Sequence, residues 1–558
     1  MQARLIVIKP KRSSFSAASA AALLLAVPLA APASAAPARA PAPARTAAPR
    51  AGPGAAAPSS PPAGRLVVLV VVDQLRYQDL LWLAPALGPR GFAGLGRPAP
   101  LRYDTAVTET AADHAVLSTG AYADLNGIVG NRFWEGGREH ESVEDPGCPI
   151  WGAAKAGRSA AMLRVPTVGD GWKLGTNGAG RVISIAVKDR TALFLGGPAA
   201  DLALWFEVET GELTSSSCYG EAPPPWLVAL RAAHPVSEWK DWVWELAHPD
   251  LTARLVPSAA TDGAVPRHGL GATFPHRVGQ GAVDKRLFNA LRNSPAGTTI
   301  VLQAARAAVR ELRLGESGTD FLALGLSAVD GVGHQFGTLA RERVDTVLRV
   351  HDELGAFLDE LRARHGAGLS VVLTADHGLT PIEKDQRRLR VSQGGTIDLD
   401  ALIARLNRAL DEQLGARREG WVATIDGSAL TLRPPFPARA VLAAVQLLRA
   451  EPGFWKVIPE SEVAQAESFV RHAYFPGRSG QVLLVPRPLW TLKKPSDGAD
   501  HGSPWNDDAL VPFLVESKRA RLKAQDVLRA TQVAPTLALL LETAPPAAAL
   551  DSPAVERE

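Results

Sequence analysis

Six side chains in this 558-residue sequence carry oxygen or nitrogen donors in patterns that suit metal binding. Asp330 and His334 stand four residues apart in VDGVGHQFG, a spacing that places a carboxylate and an imidazole on one face of a helical turn. Asp376 and His377 are adjacent in LTADHG, where a turn running into Gly378 can aim both side chains into one cleft. Asp73 and His501 complete a set sufficient for two zinc ions with open coordination positions. Each has a plainer reading alone: Asp73 as a helix N-cap, Asp376 as a turn residue, His501 as a solvated loop histidine. Their order and placement argue for one shared centre. The segment around TETAADHAVLSTG offers the hydroxyls of Thr105, Thr108, Thr110, Ser118 and Thr119. A hydroxyl needs a general base or a metal to act as a nucleophile at neutral pH, and no Gly-x-Ser-x-Gly elbow is present, so metal activation is favoured. Spacing alone does not choose among these hydroxyls.

The elements that must position these groups are readable as apolar runs. Arg65 to Val72 (RLVVLVVV) has the form of a strand buried on both faces of a parallel sheet, and it ends at Asp73. Phe321 to Val329 ends at Asp330 and Leu369 to Ala375 ends at Asp376, while Ala509 to Glu516 follows His501. Open α/β sheets bind ligands at such strand ends. Between the second and third runs, Val344, Val347, Leu348, His351, Leu354, Leu358 and Leu361 fall at helical spacing, with Gly366 as the stop. Ala524 to Leu541 reads as a further helix with Pro535 at a boundary or kink. Two regions of mixed periodicity, about 191–320 and 379–481, read as insertions covering the site. The expected architecture is α/β: a central, mostly parallel sheet flanked by helices, with inserted cap regions.

Composition supports a large buried core, with 46% hydrophobic and 21% charged residues. The formal charge of +3 includes Arg4, Lys9, Lys11 and Arg12 in an N-terminal segment expected to be removed. The rest is then about −1, and no basic balance points to nucleic acid. That segment, residues 1–35, reads as a signal peptide: basic residues, an apolar run from Ala17 to Ala31, then Ala33-Ser34-Ala35. The run falls short of the ~20 residues of a bilayer span, and no later segment qualifies as one. Residues 36–64 are almost entirely Ala, Pro, Gly, Ser and Arg and read as a disordered tether. Cys148 and Cys218 either pair, as an oxidising compartment permits, or stand as independent thiols.

VVVDQLR, TETAADHAVLSTG followed by GIVGN, VKDR, VDGVGHQFG, TADHG and DHGSPWNDD occur in the order seen in the alkaline phosphatase superfamily, which residues 65–545 resemble; 546–558 form a tail. TQVAPTLALLL from Thr531 is similar to that superfamily's closing helix. The chain most resembles monomeric, exported bacterial alkaline phosphatases with a threonine nucleophile, which share their core and two-zinc site with nucleotide pyrophosphatases/phosphodiesterases. The resemblance implies Thr110 as nucleophile, with Thr108 its main competitor, and Asn131 as a donor to a phosphate oxygen. It implies Asp330, His334 and His501 around one zinc, and Asp73, Asp376, His377 and Thr110 around the other. Manganese or iron suits the same donors. It further implies a monomer, periplasmic or secreted, acting on small-molecule phosphate monoesters.

Lys188 and Arg190 in VKDR bear on the substrate class. Two cations on one phosphoryl group suit the two non-bridging charges of a monoester better than the single charge of a diester. Their plain reading is a solvated turn or an ion pair with Asp189. The alternative function is a phosphodiesterase or nucleotide pyrophosphatase on the same core. A sulfatase would need a Cys/Ser-x-Pro-x-Arg setting, which Cys148-Pro149 does not supply. A binding module that has lost catalysis would not need the full ligand set.

Overall fold

The computed structural model describes residues 64–258, 264–391, 394–426, 428–494 and 497–558. The signal peptide expected at 1–35, and the tether up to residue 63, lie outside the described residues. In chain order the central sheet comprises β1 (Arg65–Val72), β2 (Ala99–Arg102), β3 (Val182–Ala186), β4 (Leu202–Glu207), β5 (Glu212–Thr214), β6 (Thr319–Leu326) and β7 (Leu369–Thr374). An inserted sheet follows, formed by β8 (Val422–Asp426), β9 (Ala429–Leu432), β10 (Phe454–Pro459) and β11 (Val482–Pro486); β12 (Leu510–Ser517) and β13 (Leu528–Arg529) return to the first. The helices that matter for the site are α1 (Thr110–Thr119), α2 (Asp189–Gly196), α3 (Lys285–Arg292), α4 (Ala296–Glu311), α5 (Ala328–Phe336), α6 (Arg341–His365) and α7 (Val533–Leu541).

The central strands run β13-β2-β12-β7-β1-β6-β3-β4-β5. β1 pairs in parallel with β6 and β7, β6 with β3, and β3 with β4, whereas β12 is antiparallel to both β7 and β2. The sheet is therefore parallel at its centre and mixed toward its edges. Leu66 to Val72 are at most 2% exposed, as expected of a strand covered on both faces. Burying each such side chain contributes about 1.5–3 kcal/mol. Gly325 permits the close approach of α2, since a Cβ there would stand 2.2 Å from Thr191 Cγ2.

Register decides what meets at the sheet's edge. Val71 pairs with Thr374 and Val72 with Leu326, so Asp73 emerges beside Asp376 on one side and beside the start of the β6–α5 turn on the other. Ala186 pairs with Gly325, which brings Lys188 out at the same level.

The structure corrects three expectations about elements. The run expected to end at Asp330 leaves the sheet at Leu326, and Asp330 lies in the first turn of α5. The helix expected from Ala524 begins only at Val533, so Pro535 falls in its first turn, where no intrahelical N–H bond is lost. The stretch 191–320 is not wholly an insertion: α2, β4 and β5 extend the central layer, and α4 packs on it. The second stretch does contain a separate sheet, β8-β9-β11-β10, but that sheet runs on to Pro486. Two helices, Leu399–Leu414 and Ala438–Arg449, cover it over their own apolar core of Leu402, Leu406, Leu430, Leu448 and neighbours. It meets the site through Ile458, Leu483 and Val485 packing on Ala106 and Val107. Cys148 and Cys218 form a disulfide. Among the described residues no helix is long and apolar enough to cross a membrane.

Candidate active site

Thr110 opens α1, at the end of the helix where unpaired backbone N–H groups favour an anion. Its Oγ1 lies 3.2 Å from Lys188 Nζ and 3.4 Å from His377 Nε2. Thr108, the competing hydroxyl, is instead turned away and donates to the Ser503 carbonyl at 3.0 Å. Lys188 Nζ also stands 2.6 Å from Asp73 Oδ2 and 2.6 Å from Asp330 Oδ2, bridging the two carboxylates.

All six expected ligand side chains come together. Asp73, Asp376 and His377 hold donor atoms within 4.8 Å of one another, as do Asp330, His377 and His501, and as do His334, Asp500 and His501. Asp330 Oδ1 faces His334 Nε2 at 3.1 Å and His501 Nε2 at 3.9 Å. The grouping differs from the expected two triads: His377 and His501 each lie in two clusters, stacked with ring centroids 3.6 Å apart, and His334 groups with Asp500 and His501. Asp500 was missed from the sequence, although Asp500-His501-Gly502 repeats the tripeptide Asp376-His377-Gly378 and could have been found by that repeat.

These donors fit divalent cations. The Nδ1 atoms of His334, His377 and His501 bond the carbonyls of Ala499, Gly378 and Thr108 at 2.8, 3.0 and 2.8 Å. Carbonyls only accept, so each Nδ1 carries a proton and each Nε2 faces the site, where the buried His377 and His501 rings, held below their ordinary range, present a lone pair. The buried Asp73 Oδ1 and Asp376 Oδ2 have no hydrogen-bond donor, which is costly unless a cation takes them. Gln74, in the left-handed region at φ 68°, orients the shell: its N–H meets Asp376 Oδ1 at 3.1 Å and its amide meets Asp330 Oδ1 at 2.9 Å. Only a glycine at 333 leaves room for that amide, since a Cβ there would lie 1.8 Å from Gln74 Oε1.

The electrostatics follow from burial and crowding. Burial pushes the Asp376 carboxyl well above its ordinary range, and the Asp73 charge adds to this. Burial would also raise Asp330, but Lys188 and His334 overcome it and hold that carboxyl well below the usual range. Burial lowers His377 to about 4, whereas Asp330 outweighs burial at His334 and raises it to about 9. Glu109, which precedes Thr110, is raised to about 8 by burial and then by Asp426.

Asn131 accepts from Ala111 N–H through Oδ1 at 3.1 Å, and its own N–H meets Glu109 Oε2 at 2.8 Å, so its amide NH2 remains available as a donor. Arg190 makes no ion pair with Asp189, whose carboxylate is taken by Arg158 Nε at 3.2 Å, and Arg190 Nε is buried without a partner. Beside His334 a cavity of ≈ 280 Å³ is lined by Arg267, His268, Asn293, Gln335 and Asp500.

The fold carrying this site is that of an alkaline phosphatase. The crystal structure of alkaline phosphatase PafA superposes with a TM-score of 0.80 at 24% identity, covering 89% of this chain and 99% of that one. Residues 67–504 match the type I phosphodiesterase / nucleotide pyrophosphatase family, and the chain belongs to that family. Alkaline phosphatase PhoK of Sphingomonas sp is 30% identical over 526 residues, spanning 88% of this chain and 90% of the relative. A calcium-transporting ATPase of Myroides odoratus is 29% identical over 510 residues, spanning 86% and 92%. The chain is thus an alkaline-phosphatase-like hydrolase within the superfamily.

Proposed function

We propose that this chain hydrolyses phosphate monoesters through a phosphothreonine intermediate on Thr110. The observation that carries this reading is a hydroxyl at a helix N-terminus, 3.2 Å from a buried ammonium and 3.4 Å from an imidazole nitrogen, at the edge of a cluster of buried carboxylates lacking donors. Asp73, Asp376, His377 and Thr110 would hold one zinc ion, and Asp330, His334 and His501 the other, with Asp500 an added donor. Bound there, the two cations supply charge that acidifies the threonine hydroxyl and neutralises the departing oxygen.

The chain's own residues account for the remaining steps. Thr110 Oγ1 attacks phosphorus in line, its position set by the first turn of α1. Lys188, Arg190 and the Asn131 amide hold the non-bridging oxygens as charge redistributes, with the N–H groups of α1 adding positive potential. Water then attacks from the vacated side, releasing phosphate and restoring the hydroxyl. Two cations matched to a dianionic phosphoryl group favour monoesters. The match to a phosphodiesterase / nucleotide pyrophosphatase family supports diester cleavage as the second reading.

The disulfide and the signal-like N-terminus support export to the periplasm or medium, and the resemblance supports a monomer. An aryl phosphate assay with and without chelator tests the reading. Chelator-sensitive release of phosphate, favoured over release from the matching diester, is the expected result; diester turnover exceeding monoester turnover would replace it with the second reading.

A further inference from the structure

Three segments are docked on α5 beside the ligands it carries. Gln335, 3% exposed, ties down two of them: its amide NH2 donates to the Gly331 carbonyl at 2.8 Å and to the Asn293 carbonyl at 3.2 Å, and its Oε1 accepts the Arg267 N–H at 2.9 Å. The third docks where the Ala499 N–H meets the His334 carbonyl at 2.9 Å, and a Cβ on Gly498 would stand 1.9 Å from that same oxygen. Together they wall the cavity of ≈ 280 Å³ beside His334, so its shape is held by hydrogen bonds to one helix.

The lining sets this cavity apart. Small-molecule pockets are ordinarily walled mostly by apolar side chains. The cavity at the β5 edge of the sheet is of that kind, with Phe206, Leu213, Leu230, Val236, Trp239 and Ile300. Among the described residues, no apolar side chain lines the cavity beside His334. Arg267 and Asp497 pair there at 2.6 Å and offset each other in charge. Asn293 donates its amide NH2 to the Asn289 carbonyl at 2.8 Å, while its Oδ1 accepts no hydrogen bond among the described residues. A Cβ on Gly331 would lie 2.8 Å from that Oδ1, so glycine makes room for the acceptor. The His268 ring likewise makes no hydrogen bond among the described residues. An amide oxygen and an imidazole suit hydroxyl groups, which can donate to the one and exchange a hydrogen bond with the other. An aryl or alkyl group would leave both without partners.

We propose that this cavity is the leaving-group subsite and that it takes an uncharged, hydroxyl-rich alcohol such as a polyol or sugar. This rests on the phosphomonoesterase reading and names its substrate class. In-line attack by Thr110 sends the departing oxygen to the far side of phosphorus. The cluster that remains to receive it, His334, Asp500 and His501, contributes His334 and Asp500 to the cavity wall.

The test uses the zinc-loaded full chain and compares wild type with Asn293→Leu and His268→Gly. His268 has φ 57°, which glycine adopts freely, so His268→Gly removes the ring without straining the fold and carries the comparison if Asn293→Leu does not fold. Steady-state kinetics reads β-glycerophosphate against isopropyl phosphate, whose leaving groups share one carbon skeleton and differ in hydroxyls. Calorimetry reads binding of both esters to Thr110→Ala, alone and combined with each variant. Wild type is expected to prefer β-glycerophosphate in kcat/KM, and Thr110→Ala in affinity. Each variant should lower that preference by about 3- to 10-fold, from the loss of one neutral hydrogen bond. A preference for isopropyl phosphate, or one that neither variant moves, overturns the proposal. So does pyrophosphate binding that is tighter than β-glycerophosphate binding and falls in the same variants, which would make the occupant an anion. If wild type turns over neither ester while the affinity preference remains and depends on Asn293 and His268, the monoesterase reading falls and the hydroxyl subsite stands.

Discussion

The two halves of the candidate centre are built alike and bathed differently. Around Thr110, the side chains of Asp73, Asp376 and His377 are 0% exposed. Across the cluster, the side chain of His334 is 36% exposed and that of Asp500 27%, and a cavity opens beside them. Each half offers carboxylate oxygens and imidazole nitrogens oriented by backbone carbonyls, so the donor chemistry is matched. What differs is access. Water excluded around a hydroxyl strengthens the fields acting on it, whereas a departing alcohol and an incoming water need a path out and in. His377 and His501, stacked face to face, join the sealed half to the open one.

The largest expected effect falls on the sealed half. Thr110→Ala should lower kcat for an aryl phosphate by about 10³-fold or more while metal content, read by mass spectrometry, stays at the wild-type level. Activity close to wild type would move the nucleophile elsewhere, with Thr108 the first alternative to try. The comparison sharpens with two histidines. His377→Ala removes a donor belonging to two clusters and should weaken retention of both ions, whereas His334→Ala should release one and spare the other. Equal stoichiometries in the two variants would mean that His377 does not link the halves.

Arg190→Ala comes next. Losing a charge-assisted contact should cost about 10- to 100-fold in monoester kcat/KM, with a smaller loss for the diester; parallel losses would undo the substrate argument.

The smallest effect concerns what braces the sealed half. Arg343 donates to the Gln74 carbonyl at 2.8 Å and to Asp79 Oδ2 at 2.7 Å, fixing the turn that orients Asp376 and Asp330. Burial alone would raise the Asp79 carboxyl, but Arg343 and Arg76 hold it below its ordinary 3.8. A depressed folded pKa contributes stability above the unfolded value and loses it as pH falls through the folded one. Asp79→Asn should therefore be less stable than wild type at pH 7, by about 3 kcal/mol from breaking a buried pair, with the gap narrowing progressively below pH 3.8. Urea midpoints at pH 7 and pH 3 check this, and a gap independent of pH would remove the ion pair from the account.

Legibility differed from residue to residue. Asp73 and Asp376 stood out because each ends an apolar run, and a buried parallel strand announces itself in consecutive β-branched residues. Asp330 was found for a partly mistaken reason: the strand stops at Leu326, and the carboxylate reaches the site from a helix turn whose start the apolar run concealed. Leu202 to Glu207 reads as part of an insertion in the sequence because Trp- and Pro-rich neighbours obscure it, although it is a fully buried sheet strand.

Composition and local pattern alone determined the α/β class and pointed to the strand ends that carry Asp73 and Asp376, because these depend on neighbours within one element. Pairing β1 between β6 and β7 and stacking His377 on His501 depended on contacts between residues far apart in the chain. Only tertiary structure decides those, since register and packing are chosen by the fit of whole surfaces rather than by any run of residues.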